Sequence, residues 1–409
     1  MKKGYLSQYF EGVAVKIISP VEADVLTSNQ HEFNGVEGLR NILGEPDGKV
    51  RYKAKFLYLT DHDDEPLIED GFLTWYDARQ KARIERGVMR YEYRLYFPTN
   101  LVSQCANAGD ILVIARRPDN TLLAIVAEIG TTIAQQIVWL FGFSRLSHPG
   151  FSVREELETE QDRIEFASRF ILESIGINVQ VSEESFLDEM LIKFKGVFPT
   201  TREFSNYARS TLSEIKPQDG HDAVLMAWME REEILFRTLE KHIIGERLSQ
   251  GFNDDVDGFI AFSLSVQNRR KSRAGLALEN HLEILFQECS IRYSRTPITE
   301  NKSKPDFIFP GYNEYHDPTF NVLNLTMLGV KSSCKDRWRQ VLAEADRIKR
   351  KHLLTLEAAI SKNQTDEMES KALQLIVPEK LHQSYLSEQQ TWLMSISGFI
   401  NNVLLKQQC

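Results

Sequence analysis

The 409-residue chain carries 49 Lys and Arg against 58 Asp and Glu, a formal net charge of −9, with 42% hydrophobic and 26% charged residues. These are the proportions of an ordinary globular protein with room for two or more domains, each with its own core. They exclude a membrane span, because no stretch nears about 18 unbroken apolar residues, and they give no bulk basic charge, so any nucleic-acid binding must come from local cation clusters.

Met1–Tyr5 leads into polar residues without an apolar run, so no signal peptide is expected, and the expected location is cytoplasmic. Cys105, Cys289, Cys334 and Cys409 are scattered without a close pair. That spacing fits a reducing compartment and argues against a zinc knuckle or a disulfide frame. Cys334 has no histidine near it in sequence, which argues against a nucleophilic thiolate.

In chain order, residues 1–145 alternate in short segments: Gly12–Ile18, Val50–Leu59, Gly71–Trp75, Met89–Phe97, Ile111–Ala115 and Leu122–Ile129. The gaps hold Gly, Pro, Asn and Asp, as in Glu45-Pro46-Asp47-Gly48, and Arg117–Thr121 reads as a hairpin turn. This is the pattern of a β-rich barrel or sandwich. Residues 146–194 turn helical and acidic and read as a linker region, with the domain boundary expected within 180–198. A mostly helical run begins at Phe198-Pro199-Thr200-Thr201. From 222 onward the pattern predicts helices at 222–248, 256–267 and 274–288. Strands follow near 291–294, 306–309 and 325–331, then a helix at 334–352 and a strand at Leu373–Val377. Strands embedded between helices indicate an α/β domain over 195–409 with a small mixed sheet.

The chemistry-bearing residues lie in that second part. Lys304-Pro305-Asp306 precedes a short apolar strand, and Leu325–Lys331 reads as a core strand ending in lysine. Each alone is equally a surface turn or a strand leaving the core. Ser333 and Asp336 then form a capping-box pattern, and Trp338, Val341, Leu342, Ala345 and Ile348 recur at helical spacing. Glu344 would share a helical face with Arg337, seven residues earlier. The position two before the lysine, where a simpler nuclease motif keeps a second carboxylate, is Gly329, which leaves Glu344 as the available substitute. Upstream, Glu279 borders the helical stripe Ala274, Leu278, Leu282 and Leu285. Carboxylates beside a lysine suit metal-dependent phosphodiester hydrolysis. Arg269-Arg270-Lys271-Ser272-Arg273 would place four cations at a helix N-terminus, against the helix dipole, which a polyanion would relieve. Lys335, Arg337 and Arg339 would crowd another helix start, an arrangement suited to phosphates or guanine edges.

The stretches Ser265–Gly275, Lys304–Phe307, Tyr315-His316-Asp317 and Val330-Lys331 through Lys335–Gln340 resemble the C-terminal catalytic domain of the EcoRII restriction endonuclease family. The likeness spans about 258–353, with a weaker extension through Phe198-Pro199 and Tyr207-Ala208 to about 195. The resemblance implies a PD-(D/E)XK nuclease fold and a type II restriction endonuclease acting on double-stranded DNA as a homodimer with Mg²⁺, alongside a cognate DNA methyltransferase. It implies Glu279, Asp306 and Glu344 as acidic metal-site residues, Lys331 as the catalytic lysine and Tyr315 as part of the active-site region. Lys335, Asp336 and Arg337 would read C·G pairs of a CCNGG-like site, CCWGG being favoured, with the central pair flipped out or distorted. Arg231 matches a nearby arginine loosely. In residues 1–145 the likeness is local. Tyr76–Arg86, with Arg79, Lys81, Arg83 and Arg86, and then Arg90 and Arg94, is similar in character to the arginine-rich DNA-reading loop of the family's β-barrel effector (B3-like) domain, which binds a second site. A solvated cationic hairpin is the plainer reading of that segment. Two other functions stay open at this point, a modification-dependent endonuclease and a non-cleaving DNA-binding regulator.

Overall fold

The computed structural model describes residues 4–23, 31–35, 37–62, 66–87, 89–143, 146, 150–179, 184–332, 334, 337–358 and 360–408. The chain divides into two compact units, Met1–Val179 with Ser384–Leu386, and Gln180–Gln383 with Ser387–Cys409. Together they make a mixed α/β protein.

The first unit is built on eight strands: β1 (Gly12–Ile17), β2 (Glu32–Asn34), β3 (Lys49–Leu59), β4 (Leu67–Asp77), β5 (Tyr93–Tyr96), β6 (Ile111–Arg116), β7 (Leu122–Ala127) and β8 (Ser152–Arg154). Their order is β2-β5-β4-β3-β7-β6-β1-β8, and every pairing is antiparallel except that of β3 with β7. β3 shows why these segments are strands. Ala54 and Phe56 enter the core while Arg51, Lys53 and Lys55 face out, the alternation that a half-buried strand requires. β7 is buried on both faces. The expected turn at Arg117–Thr121 closes the β6–β7 hairpin, with Arg117 N donating to Thr121 O at 2.9 Å and Asn120 at φ 60°. Trp75, Leu73, Leu95, Ile114 and Phe56 fill the core. Phe33, on β2, stacks on Phe97 at 4.5 Å and meets Phe151 edge-on at 6.4 Å, just before β8. These rings bring the two ends of the strand order together, so the sheet is curled. Among the described residues no ladder joins β2 to β8, and the curl is open.

The second unit places helices around a five-stranded mixed sheet. Thr200 caps the helix Thr201–Ser210, accepting from Glu203 N at 3.3 Å while Glu203 accepts from Thr200 N at 3.0 Å. Two long helices, His221–Gln250 and Val256–Glu288, pack together, and Phe204, Tyr207, Leu235, Phe236 and Leu239 fill the helical core. The strands are β9 (Ser294–Arg295), β10 (Phe307–Phe309), β11 (Thr326–Lys331), β12 (Lys351–Thr355) and β13 (Leu373–Ile376), in the order β13-β12-β11-β10-β9. β9, β10 and β11 pair antiparallel, while β11, β12 and β13 pair parallel. Phe286 anchors the second long helix to the sheet, with ring centroids 5.3 Å from Phe307 and 5.2 Å from Phe309.

Two expectations are corrected here. The helices expected at 256–267 and 274–288 are one helix of 33 residues, so Arg269–Arg273 lies mid-helix and the dipole argument lapses. The cations there are answered by glutamates of the neighbouring helix: Arg270 meets Glu240 at 2.7 Å and Arg273 meets Glu232 at 3.0 Å. The helix expected at 334–352 is only the turn Trp338–Val341, and it gives way to β12. Trp338, Val341, Ala345 and Ile348 are buried as expected. However, Ala345 at φ 51° cannot continue a helix, and 351–355 takes a parallel place beside β11.

Candidate active site

β10 and β11 run antiparallel with Phe307 opposite Leu328, which brings Asp306, just before β10, beside the end of β11. Asp306 Oδ2 accepts from Val330 N at 2.6 Å and from Lys331 Nζ at 3.0 Å. Both side chains are largely enclosed, 15% exposed for Lys331 and 13% for Asp306. The lone strand lysine and the Pro-Asp carboxylate, 25 residues apart in sequence, thus form one ion pair.

Glu344 joins them from the turn after Trp338–Val341 rather than from a helical face shared with Arg337. Burial, reinforced by the nearby Asp306 charge, raises its carboxyl to about 7. Its Oε2 is buried without a hydrogen-bond partner among the described residues. Gly329 explains this route. A Cβ there would lie 2.8 Å from Val341 Cγ2, so the turn that carries Glu344 rests on bare strand backbone. A side chain at 329 and the turn at 341 exclude each other, and the carboxylate comes from the turn. Lys351 Nζ holds that turn by donating to the backbone oxygens of Leu342, at 3.0 Å, and Glu344.

Glu279 approaches from the helix Val256–Glu288. Burial, then the Asp306 charge, pushes its carboxyl up, and Arg295 and Lys331 oppose the shift. Arg295 Nη2 donates to Glu279 Oε2 at 3.0 Å, while its Nη1 bonds Glu283 Oε2 at 2.7 Å and Asn280 Oδ1 at 2.9 Å. This arginine escaped the sequence reading because nothing about Ser294-Arg295 marks it; only the β9 pairing brings it to the helix. Among the described residues, no three His, Cys, Asp or Glu side chains converge closely enough to hold an ion as they stand. The buried, unpartnered Glu344 oxygen and its repulsion from Asp306 nevertheless fit a hard divalent cation, which takes oxygen donors.

The other expected site residues are dispersed. Tyr315 is buried and donates to Glu300 Oε2 at 2.6 Å, while Arg347 donates to the Tyr315 backbone oxygen; it belongs to that network. Arg231, in the helix His221–Gln250, donates to Thr211 Oγ1 at 2.7 Å and lies over Phe186. Arg269 is exposed over the Phe198 ring at 4.3 Å. Arg273 reaches both Glu232 and Glu233, and Arg270 reaches Glu240. Arg337 is exposed beside the buried Trp338. Lys335 and Asp336, together with Ser333 of the expected capping box, lie outside the described residues. Cys334 is buried, and burial beside Glu357 pushes its thiol well up. In the first unit the arginine-rich segment is a short helix, Gln80–Arg86, between β4 and β5. Arg79 is bound to Glu92 at 2.5 Å and Arg83 to Asp77, Lys81 lies 3.8 Å from Glu85, and Arg86 is exposed.

Residues 236–400 match the family model described as EcoRII C terminal. The segment is thus similar to an EcoRII C-terminal domain. It contains Glu279, Asp306, Lys331, Glu344 and the whole five-stranded sheet. The Type II restriction enzyme EcoRII of Escherichia coli is 44% identical over 204 residues, 50% of this chain and 50% of that protein. The match therefore spans about half the length of this curated relative. Among solved structures, metal-depleted Ecl18kI in complex with uncleaved, modified DNA overlaps with a TM-score of 0.45 at 19% identity, covering 56% of this chain and 86% of that one. The PspGI–substrate DNA complex overlaps with a TM-score of 0.44 at 17% identity, covering 52% and 94%. Among the described residues no helix is long and apolar enough to cross a membrane.

Proposed function

We propose that the chain is a type II restriction endonuclease whose second unit, of PD-(D/E)XK type, hydrolyses double-stranded DNA, and whose first unit is a barrel-like, B3-type effector module. The observation that carries this reading is the enclosed Asp306–Lys331 pair with Glu344 and Glu279 brought against it inside the segment similar to an EcoRII C-terminal domain.

Asp306 and Glu344 would hold Mg²⁺, with Glu279 kept alongside by Arg295. Bound there, the ion lowers the pKa of the attacking water and offsets charge on the phosphate. Lys331 Nζ, 3.0 Å from Asp306 Oδ2, has further protons to donate and orients the attacking water. Val330 N fixes the other contact of that carboxylate oxygen. The buried flanks exclude bulk solvent, which strengthens each of these interactions. In-line attack leaves 5′-phosphate and 3′-hydroxyl ends. Arg337, with Lys335 and Asp336, would read C·G pairs of a CCWGG or other CCNGG-like site. Arg269 and Lys271, both exposed, would lie toward the backbone, with Arg231 and Tyr315 supporting the fold around them. The enzyme would act as a homodimer, each protomer cutting one strand, paired with a cognate methyltransferase and stimulated by a second site on the first unit, near Arg79, Lys81, Arg83 and Arg86.

Digestion of unmethylated plasmids carrying one or many CCWGG sites, with Mg²⁺ and sequencing of the cut ends, tests this. Cuts at CCWGG that need several sites are expected. Cuts elsewhere would keep the chemistry and reassign the reader. No cuts on methylated or unmethylated DNA would overturn the nuclease reading.

A further inference from the structure

Strand β3 carries Lys49, Arg51, Lys53 and Lys55 at every second position, and all four are exposed. Alternate residues of a strand share a face, so the four cations form a row about 20 Å long. The residues between them fix that row. Ala54 and Phe56 are buried in the core and Tyr52 packs against it, so the cationic face cannot turn inward without a register slip that would expose them. β4 pairs with β3 along the whole row, and β7 joins from Ala54 onward, so Lys55 stands inside the sheet while Lys49, Arg51 and Lys53 stand on the stretch held by β4.

The facing residues on β4 are Tyr76, Thr74, Phe72 and Asp70. The Arg51 guanidinium lies 3.4 Å from the Phe72 ring centroid and Lys49 Nζ lies 5.0 Å from that of Tyr76. The rings hold both cations extended while leaving their charge uncancelled. Among the described residues none of the four is ion-paired, although Asp70 stands across from Lys55. The arginine-rich helix differs, since Arg79 and Arg83 are spent on Glu92 and Asp77. Four like charges in one row repel, and among the described residues no ion pair offsets them.

We propose that this β3 row is a docking surface for the phosphate backbone of double-stranded DNA, an inference that rests on the reading of the first unit as a DNA-binding module. Over about 20 Å of axis one strand of a duplex presents roughly six phosphates. A rigid row one residue wide tracks such a backbone. Anionic lipid surfaces also attract basic clusters, and a vesicle measurement separates the two.

The test is fluorescence anisotropy of the full chain, free of metal, on a duplex of about 30 base pairs lacking CCNGG. It is run from about 50 to 200 mM salt, the range over which phosphate contacts dominate. Substituting Lys49→Gln, Arg51→Gln, Lys53→Gln and Lys55→Gln together should make the slope of log K against log salt shallower by about three to four, at ~0.9 for each phosphate no longer neutralised. The charge-preserving set Lys49→Arg, Lys53→Arg and Lys55→Arg should keep the slope. If the fourfold variant does not fold, Lys53→Gln alone decides, with an expected change of ~0.9. An unchanged slope, in a protein whose wild type cuts DNA, overturns the row and leaves the nuclease reading standing. A wild type that neither binds nor cuts duplex removes both. Loss of binding to phosphatidylserine vesicles with an unchanged duplex slope also overturns it, in favour of a membrane surface.

Discussion

In the second unit Asp306, Glu344 and Glu279 are gathered at the end of one strand pair, whereas in the first unit Lys49, Arg51, Lys53 and Lys55 are strung along one strand. Crowding and spacing of like charge call for different partners. Carboxylates within range of one another in a half-buried site repel until a compact divalent cation or a proton joins them. Cations set at intervals on an open face gain little from one small ion and more from an extended polyanion. Elsewhere the chain disposes of clustered charge internally, as Arg270 and Arg273 with Glu240 and Glu232 demonstrate.

The sharpest break of this comparison is Lys331→Ala. It should lower Mg²⁺-dependent cleavage by about 10³-fold, the scale of losing one transition-state donor, with metal-free binding of a CCWGG duplex retained. Cleavage by that variant at the wild-type rate would remove the lysine from the chemistry. Next is Gly329→Asp, which puts a carboxylate on the strand itself. Since a Cβ at 329 meets Val341 at 2.8 Å, the variant should lose about 1–3 kcal/mol in urea unfolding and cut more slowly as the Glu344 turn is displaced. A variant of full stability and activity would mean that turn and strand carboxylate are compatible.

Arg337→Ala should cost about 1–3 kcal/mol of discrimination between CCWGG and a one-base mismatch, read from competition binding. Equal loss on both sequences would assign it to the backbone. The smallest effect concerns Glu344. Its folded pKa, about 7, is raised above the ordinary carboxyl value of 4.5, so protonation favours the folded state. In EDTA the protein should therefore be most stable, with respect to this group, below about pH 4.5, and lose that contribution as pH rises to about 7. Tm measured across this window should fall less steeply in Glu344→Gln and in the presence of Mg²⁺. Identical pH profiles for the variant and the wild type would exclude the crowding.

Much of this was legible in the residues. Alternation located most strands of the first unit within a few positions, because one face of each is held by the core. Asp306, Lys331 and Glu344 were legible as candidates because few residue types suit such chemistry, and the fold pairs Asp306 with Lys331. The helix expected at 334–352 failed because Trp338, Val341, Ala345 and Ile348 are spaced as in a helix yet buried along a turn and the approach to a strand.

What the sequence by itself determined is the β-rich first part, the α/β second part and the identities of the charged groups available for chemistry. Which of those charges meet was decided only by tertiary structure. Antiparallel pairing of β10 with β11 joins Asp306 to Lys331, the contact of Val341 with Gly329 carries in Glu344, and β9 delivers Arg295 to Glu279. The same holds for charge left over: Arg79, Arg83, Arg270 and Arg273 find carboxylates across the fold, while among the described residues the cations of β3 do not. The physical reason is range. Patterning acts over a few residues along the chain, whereas electrostatic pairing depends on distances of a few ångströms between groups that folding alone brings together.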